Sequence, residues 1–200
     1  MADCLIYEYR PARLYVNLTN ECTNTCIFCA RSYQRYSLGR FDLRLLRQHQ
    51  SHEYIAQLRQ QVAQRDEVAE VVFCGFGEPT LRLDTLLEVG SWAKQMGLQV
   101  RLNTNGQAEM IHDRDVVSAL SGVVDRVNVS LNAPDAEAYA RVSNPRAGQE
   151  AWRWVVGFLR RCRIQMPESR ASIVGTVLSP EEISATRQLC SSLGIKLVIR

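Results

Sequence analysis

Three cysteines, Cys22, Cys26 and Cys29, fall within eight residues in the pattern Cys-x3-Cys-x2-Cys. Thiols so closely spaced suit metal binding better than a secreted disulfide framework. Three thiolates in one loop are near enough to hold three corners of an iron–sulfur cube. A [4Fe–4S] cluster ordinarily takes four cysteine ligands, so three leave one iron open to something that is not protein. The competing chemistry is a zinc site completed by His49, His52 or His112. Zinc motifs pair Cys-x2-Cys knuckles with a second half at a defined spacing, and no such half is present, so the cluster is the better reading. Cys74, Cys162 and Cys190 read as small buried hydrophobes, and Cys4 lies near the terminus.

The rest of the chain must supply a frame for that loop. Its 200 residues are 46% hydrophobic and 22% charged, which excludes disordered and collagen-like classes and suits one core. No signal peptide or transmembrane stretch is read, so the expectation is a cytoplasmic protein with reduced thiols. Short β-branched runs at 14–18, 70–74, 99–103, 126–131, 171–178 and 196–199 alternate with amphipathic stretches, the pattern of parallel βα units. Helices are expected around Tyr54, Leu58 and Val62 behind a cap at Ser51, around Leu86 and Ala93 ending at Gly97, and at 115–120 closed by Gly122. Two more are expected around Trp152 and Leu159, and after the capping box Ser179-Pro180-Glu181-Glu182. Eight βα units need about 250 residues, so the choice is an open six-stranded partial barrel or a doubly wound sheet. Both place ligands beyond the carboxyl ends of the strands. The unusual residues sit there: the three cysteines, Gly75-Phe76-Gly77-Glu78-Pro79-Thr80, Asn103-Thr104-Asn105-Gly106, Ser130-Leu131-Asn132-Ala133-Pro134, and Ile173-Val174-Gly175.

Cys-x3-Cys-x-Phe-Cys after a first strand resembles the radical S-adenosylmethionine (SAM) superfamily, whose core is an open (β/α)6 barrel, an α/β fold with a parallel sheet and outer helices. Gly77-Glu78-Pro79 is similar to that family's Gly-Gly-Glu-Pro segment, with Phe76 standing where the first Gly usually sits. The segments Asn17-Leu18-Thr19-Asn20, Phe73-Cys74-Gly75-Phe76-Gly77-Glu78-Pro79, Asn103-Thr104-Asn105-Gly106-Gln107 and Val129-Ser130-Leu131-Asn132-Ala133-Pro134-Asp135 further resemble the radical SAM proteins known as TatD-associated. The resemblance runs from about Leu14 to Arg200 and implies a single radical SAM core domain over 1–200 without an appended domain.

The resemblance implies a function as well. Cys22, Cys26 and Cys29 would carry a [4Fe–4S] cluster whose open iron takes the amino nitrogen and carboxylate of SAM. One electron, from a reductant of the flavodoxin or ferredoxin type, then cleaves SAM to methionine and a 5′-deoxyadenosyl radical that removes a hydrogen atom from a substrate. Gly75, Gly77 and Glu78 would meet the methionine amino group. Ser130 and Asn132 would meet ribose and carboxylate, Asn105 would add a strand-end amide, and Phe28 and Ile173 would lie by adenine. The Gly-x-Ile-x-Gly-x-x-Glu form is incomplete, with Ala171 and Leu178 at its ends.

The substrate is to close the open side. Of 24 basic residues only Lys94 and Lys196 are lysine, and residues 31–47 hold Arg31, Arg35, Arg40, Arg44 and Arg47 against one acid, Asp42. With Tyr33, Tyr36 and Phe41 between them, these suit phosphate contact and base stacking. The expected substrate is accordingly a nucleic acid or nucleotide. The alternative is an activating enzyme that makes a glycyl radical on a partner protein.

Overall fold

The computed structural model describes residues 3–33, 36–65 and 67–200. A short strand β1 (Ile6–Arg10) turns back through Pro11 and Ala12 onto β2 (Arg13–Val16), and Ala12 takes the positive φ of 59° that this reversal needs. The cysteine loop follows, then a small hairpin of β3 (Ser37–Leu38) and β4 (Phe41–Asp42). From there strands and helices alternate: α1 (Ser51–Ala63), β5 (Glu70–Phe73), α2 (Leu83–Gln95), β6 (Gln99–Thr104), α3 (Ala108–His112), α4 (Val116–Ser121) and β7 (Arg126–Ser130). The chain then continues through α5 (Ala136–Ser143), α6 (Glu150–Gln165), β8 (Glu168–Ile173), α7 (Pro180–Ser192) and β9 (Lys196–Ile199).

The main sheet has the order β1-β2-β5-β6-β7-β8-β9, with β1 antiparallel and the other six strands parallel. Strand order never reverses, so there is no switch point of the doubly wound kind. Among the described residues the last strand β9 pairs only with β8 and does not return to the first strands, so the barrel is open. Successive side chains alternate between the two faces. Val71, Phe73, Val100, Leu102, Val127, Val129 and Ala171 point to the helices and join Tyr54, Leu58, Leu86, Val89, Val155 and Leu159 in the main core. On the opposite face a smaller apolar cluster of Tyr7, Tyr15, Leu43 and Val72, flanked by Phe41 and Phe76, covers only the β1-β2-β5 end.

Local signals stop the helices where the sequence places them, with small shifts. Gln50, one residue before the expected Ser51, caps α1 in a reciprocal box with Glu53. Ser179 and Glu182 form the expected box ahead of Pro180. Gly97 adopts φ +76° after α2. The fifth parallel strand is corrected from 171–178 to Glu168–Ile173, because Gly175–Val177 coils into a 3-10 turn. The Gly175 N–H still donates to the Arg200 carbonyl at 2.9 Å, as in a parallel ladder, but beyond it Val177 N–H turns back to Val174 O and Leu178 N–H to Gly175 O, both at 3.4 Å.

Candidate functional site

The cysteine loop is held from three sides. The Gly77 turn presses against its start: a Cβ on Gly77 would lie 2.1 Å from the Thr19 carbonyl oxygen and 2.6 Å from that of Glu21, so only glycine allows this approach. The neighbouring Glu78 N–H donates to the Glu21 carbonyl at 2.7 Å. Gly75 has the same use, since a Cβ there would meet Asn17 Oδ1 at 2.2 Å. On the far side the loop runs beside the left-handed cap of α5. The Thr25 N–H donates to Asn144 O at 3.2 Å, Ile27 N–H to Val142 O at 3.0 Å, and Arg146 N–H to Thr23 O at 2.9 Å. Beneath the loop is a buried polar knot: Gln107 Nε2 donates to Asn24 Oδ1 at 2.7 Å and to the Tyr139 hydroxyl at 2.9 Å, and Asn24 Nδ2 donates to the same hydroxyl at 3.1 Å. Burial pushes the Tyr139 phenol up to about 12.

The three cysteines are half-buried and none is in a disulfide. A turn in which Cys29 N–H donates to Cys26 O at 3.0 Å brings the second and third together. Burial, then the proximity of Cys22 and Cys29, pushes the Cys26 thiol up to about 12, while hydrogen bonds with Ser143 and Asn24 pull the other way. Burial and the Glu78 charge also raise Cys22, whose sulfur accepts from Asn24 N–H at 3.4 Å and Asn105 Nδ2 at 3.7 Å. Three crowded thiols with N–H and O–H donors aimed at two of them fit a cationic metal–sulfur group, which offsets their mutual repulsion. The histidines are engaged elsewhere. His49 is spanned by Asp3 at 2.8 Å and Glu53 at 3.0 Å, His112 Nε2 faces Thr80 O at 2.7 Å, and His52 is exposed. The zinc alternative therefore lacks its fourth ligand among the described residues.

Glu78 is buried and caps the 3-10 turn Pro79–Arg82. Its Oε1 accepts from Thr80 N–H at 3.1 Å, Thr80 Oγ1 at 2.7 Å and Thr104 Oγ1 at 2.7 Å, and its Oε2 accepts from Asn105 N–H at 2.7 Å. Burial raises this carboxyl and the four donors hold it back. Oε1 is thus saturated by three donors, while Oε2 carries one. Asn105 ties β6 to the loop, its Nδ2 donating to Thr23 Oγ1 at 2.8 Å.

Asn132 is buried with a positive φ of 61°. Its Nδ2 donates to Ser143 Oγ at 3.0 Å, and Ser143 in turn is hydrogen-bonded to Cys26. Its Oδ1 is buried and has no partner among the described residues. An orphaned buried acceptor beside the thiols is what a ligand's hydroxyl or amino group would satisfy. Ser130 lies half-buried at the end of β7, with Arg200 Nη2 at 3.5 Å from its hydroxyl and at 2.9 Å from that of Ser172. Phe28 packs on the edge of the main core. Ile173 is fully buried and shares the helix-facing side with Ala171, whereas Ser172 between them faces the other way. Its side chain is thus turned from the open face.

The arginine segment behaves differently from its composition. Arg31 braces the cysteine loop, donating to Asn20 O at 2.9 Å and to Asn24 O. Arg47 is paired with Glu53. Arg35 lies outside the described residues. Arg40 and Arg44 remain exposed and stack over Phe41 at 5.0 Å and Tyr36 at 5.6 Å. Tyr36 packs edge-on against Phe76 with ring centroids 5.8 Å apart, so the residue standing where a glycine is usual docks the arm that follows the cysteine loop. Sequence reasoning missed Asn24, Gln107, Tyr139, Ser143 and Arg200.

A family model described as the radical SAM superfamily matches residues 16–190. The chain belongs to the radical SAM superfamily. Radical SAM enzymes use a [4Fe–4S] cluster and SAM and need an external one-electron reductant. Among curated proteins the chain is 28% identical over 200 residues to a "Probable GTP 3′,8-cyclase" of Thermococcus kodakarensis, covering 92% of this chain and 61% of that protein. It is 28% identical over 187 residues to the protein of that name from Saccharolobus islandicus, covering 91% and 54%. The chain therefore spans little more than half the length of these relatives. Among solved structures, Streptococcus suis SuiB bound to precursor peptide SuiA superposes with a TM-score of 0.70 at 19% identity, over 94% of this chain and 39% of that one. A radical SAM methyltransferase from Sphaerobacter thermophilus gives 0.53 at 18%, over 98% and 68%. At these identities the structures share the fold alone. No helix among the described residues is long and apolar enough to cross a membrane.

Proposed function

We propose that this radical SAM enzyme holds its cluster on Cys22, Cys26 and Cys29, seats SAM along the strand ends, and takes a hydrogen atom from a nucleotide-type substrate. When bound, the cluster and SAM supply the 5′-deoxyadenosyl radical. The chain's own residues position them. Asn24, Asn105 and Ser143 orient the cysteine sulfurs, Glu78 Oε2 receives the methionine ammonium, and Asn132 Oδ1 with the Ser130 hydroxyl receives the ribose and carboxylate end. Phe28 and the Ile173 backbone flank adenine, while Gly75 and Gly77 bring the β5 loop close. The observation that carries this reading is Asn132: a buried, unpartnered acceptor, one hydroxyl away from Cys26.

A small nucleotide is favoured over a nucleic-acid polymer because two of the five arginines of residues 31–47 that suit phosphate contact are engaged inside the chain. The names of the relatives support the nucleotide class. Within the family we place the chain with the TatD-associated proteins on the segments they share, as a cytoplasmic enzyme with an oxygen-sensitive cluster served by a flavodoxin- or ferredoxin-type donor. Asn132→Gly keeps the left-handed backbone while deleting the amide. With iron content unchanged, this variant should bind SAM tenfold to a hundredfold more weakly in calorimetry, and an unchanged affinity would refute the placement.

A further inference from the structure

The sheet face opposite the helices is apolar only at its β1-β2-β5 end; across β6, β7 and β8 it is strongly basic. Strand register puts Arg101, Arg126 and Glu168 in one row, with Arg170 in the next row toward the carboxyl ends. Buried Glu70 meets Arg13 at 3.1 Å, Arg101 at 3.2 Å and Arg126 at 2.8 Å. Glu168 meets Arg126 at 2.6 Å and also Arg170. Four guanidinium groups thus share two carboxylates. Arg200, higher on the same face, touches only the hydroxyls of Ser172 and Ser130 and has no carboxylate partner among the described residues. Lys196, in register with Arg170, adds a cation on the same side, so six cations face two carboxylates and the excess is four positive charges. Arg101 Nε is buried without an acceptor.

Resting on the nucleotide reading above, we propose that this inner face is a polyphosphate site, in which Arg126, Arg170 and Arg200 grip the phosphate chain of the substrate. Four excess charges on one small face match a compact multiply charged anion. An acidic peptide spreads its charges at about 3.3 Å per residue instead. The planar guanidinium fork suits phosphate oxygens, and Asn103, Asn128 and Ser172 add neutral donors between the arginines. The row of Arg126 lies four residues below Ser130, about 13 Å along the strand. Phosphates held there leave the nucleoside at the strand ends, beside the cysteine loop.

The test is calorimetric binding of inorganic pyrophosphate to the anaerobically reconstituted enzyme at low ionic strength. Arg200→Gln and Arg170→Gln should each weaken binding about tenfold to a hundredfold, and Arg163→Gln, on the exposed side of α6, should not change it. Arg200 leaves no buried carboxylate unpaired when removed, so its variant is informative even if Arg170→Gln does not fold. A nucleoside triphosphate should displace pyrophosphate and bind more tightly than it. Absent binding, equal weakening in Arg163→Gln, citrate binding as tightly as pyrophosphate, or pyrophosphate binding more tightly than the nucleotide would overturn the proposal. A preparation that cleaves SAM but ignores pyrophosphate defeats this site and leaves the SAM assignment standing; one that binds pyrophosphate but holds no cluster does the reverse.

Discussion

Gly77→Ala places the hardest demand on the architecture around the cysteines. The added Cβ would stand 2.1 Å from one backbone oxygen and 2.6 Å from another, whereas real Cβ atoms keep at least 3.0 Å. Backbone cannot rotate aside as a side chain does, so the β5 loop and the cysteine loop must part by about 1 Å, and the 2.7 Å bond from Glu78 N–H to Glu21 O goes with them. Overpacking and the lost bond together cost about 2–4 kcal/mol. Gly157→Ala is the control: it lies inside α6, nothing stands within 4 Å of its would-be Cβ, and the better helix former should stabilise by about 0.8–1 kcal/mol. Urea unfolding of the metal-free, reduced protein reads both. Gly77→Ala should also hold far less iron after anaerobic reconstitution. Equal midpoints and equal iron in Gly77→Ala and wild type would show that the β5 loop and the cysteine loop do not depend on this close approach.

Three further outcomes follow from the same contacts. Alanine at Cys22, Cys26 or Cys29 should abolish iron–sulfur absorbance and SAM cleavage, whereas Cys4→Ala, Cys162→Ala and Cys190→Ala should retain the iron, with Cys162→Ala losing some thermal stability because that side chain is fully buried. Glu78→Gln exchanges one acceptor oxygen for a donor facing other donors, so it should lower stability by about 1–3 kcal/mol and weaken SAM binding together, as measured by unfolding and calorimetry. Arg31→Ala should lower iron retention by freeing the Asn20 and Asn24 carbonyls, while the double change Arg40→Gln and Arg44→Gln should leave iron retention at the wild-type level; iron analysis decides between them.

Five of the six parallel strands were legible within a few residues because their helix-facing half is apolar, β8 being the exception with Glu168, Arg170 and a lone β-branched Ile173, and the strand-end loops stood out by their Gly, Asn and Cys content. Strand β1 was not, since its turn uses Pro11 and a left-handed Ala12 in place of the Gly or Asn that marks a reversal. The stretch 174–178 looks extended by residue type, yet the bonds from Val177 N–H to Val174 O and from Leu178 N–H to Gly175 O coil it. Around the cysteines the motif residues could be read directly, but the contacts that hold them could not. Asn24 meets Gln107 across 83 positions and Tyr139 across 115, and no local pattern encodes such partners. The arginine segment shows the limit of composition: Arg31 and Arg40 are the same residue type in one run, and only the fold makes the first an internal brace and the second an exposed stacked cation.

A catalytic [4Fe–4S] cluster on Cys22, Cys26 and Cys29 is tested by iron, acid-labile sulfide and SAM turnover measured on one anaerobic preparation with dithionite as reductant. It requires about four irons and four sulfides per chain, with 5′-deoxyadenosine and methionine formed in equal amounts, and the loss of all of these in Cys26→Ala. A single zinc without sulfide, or a Cys26→Ala protein that keeps its four irons and still cleaves SAM, would contradict it.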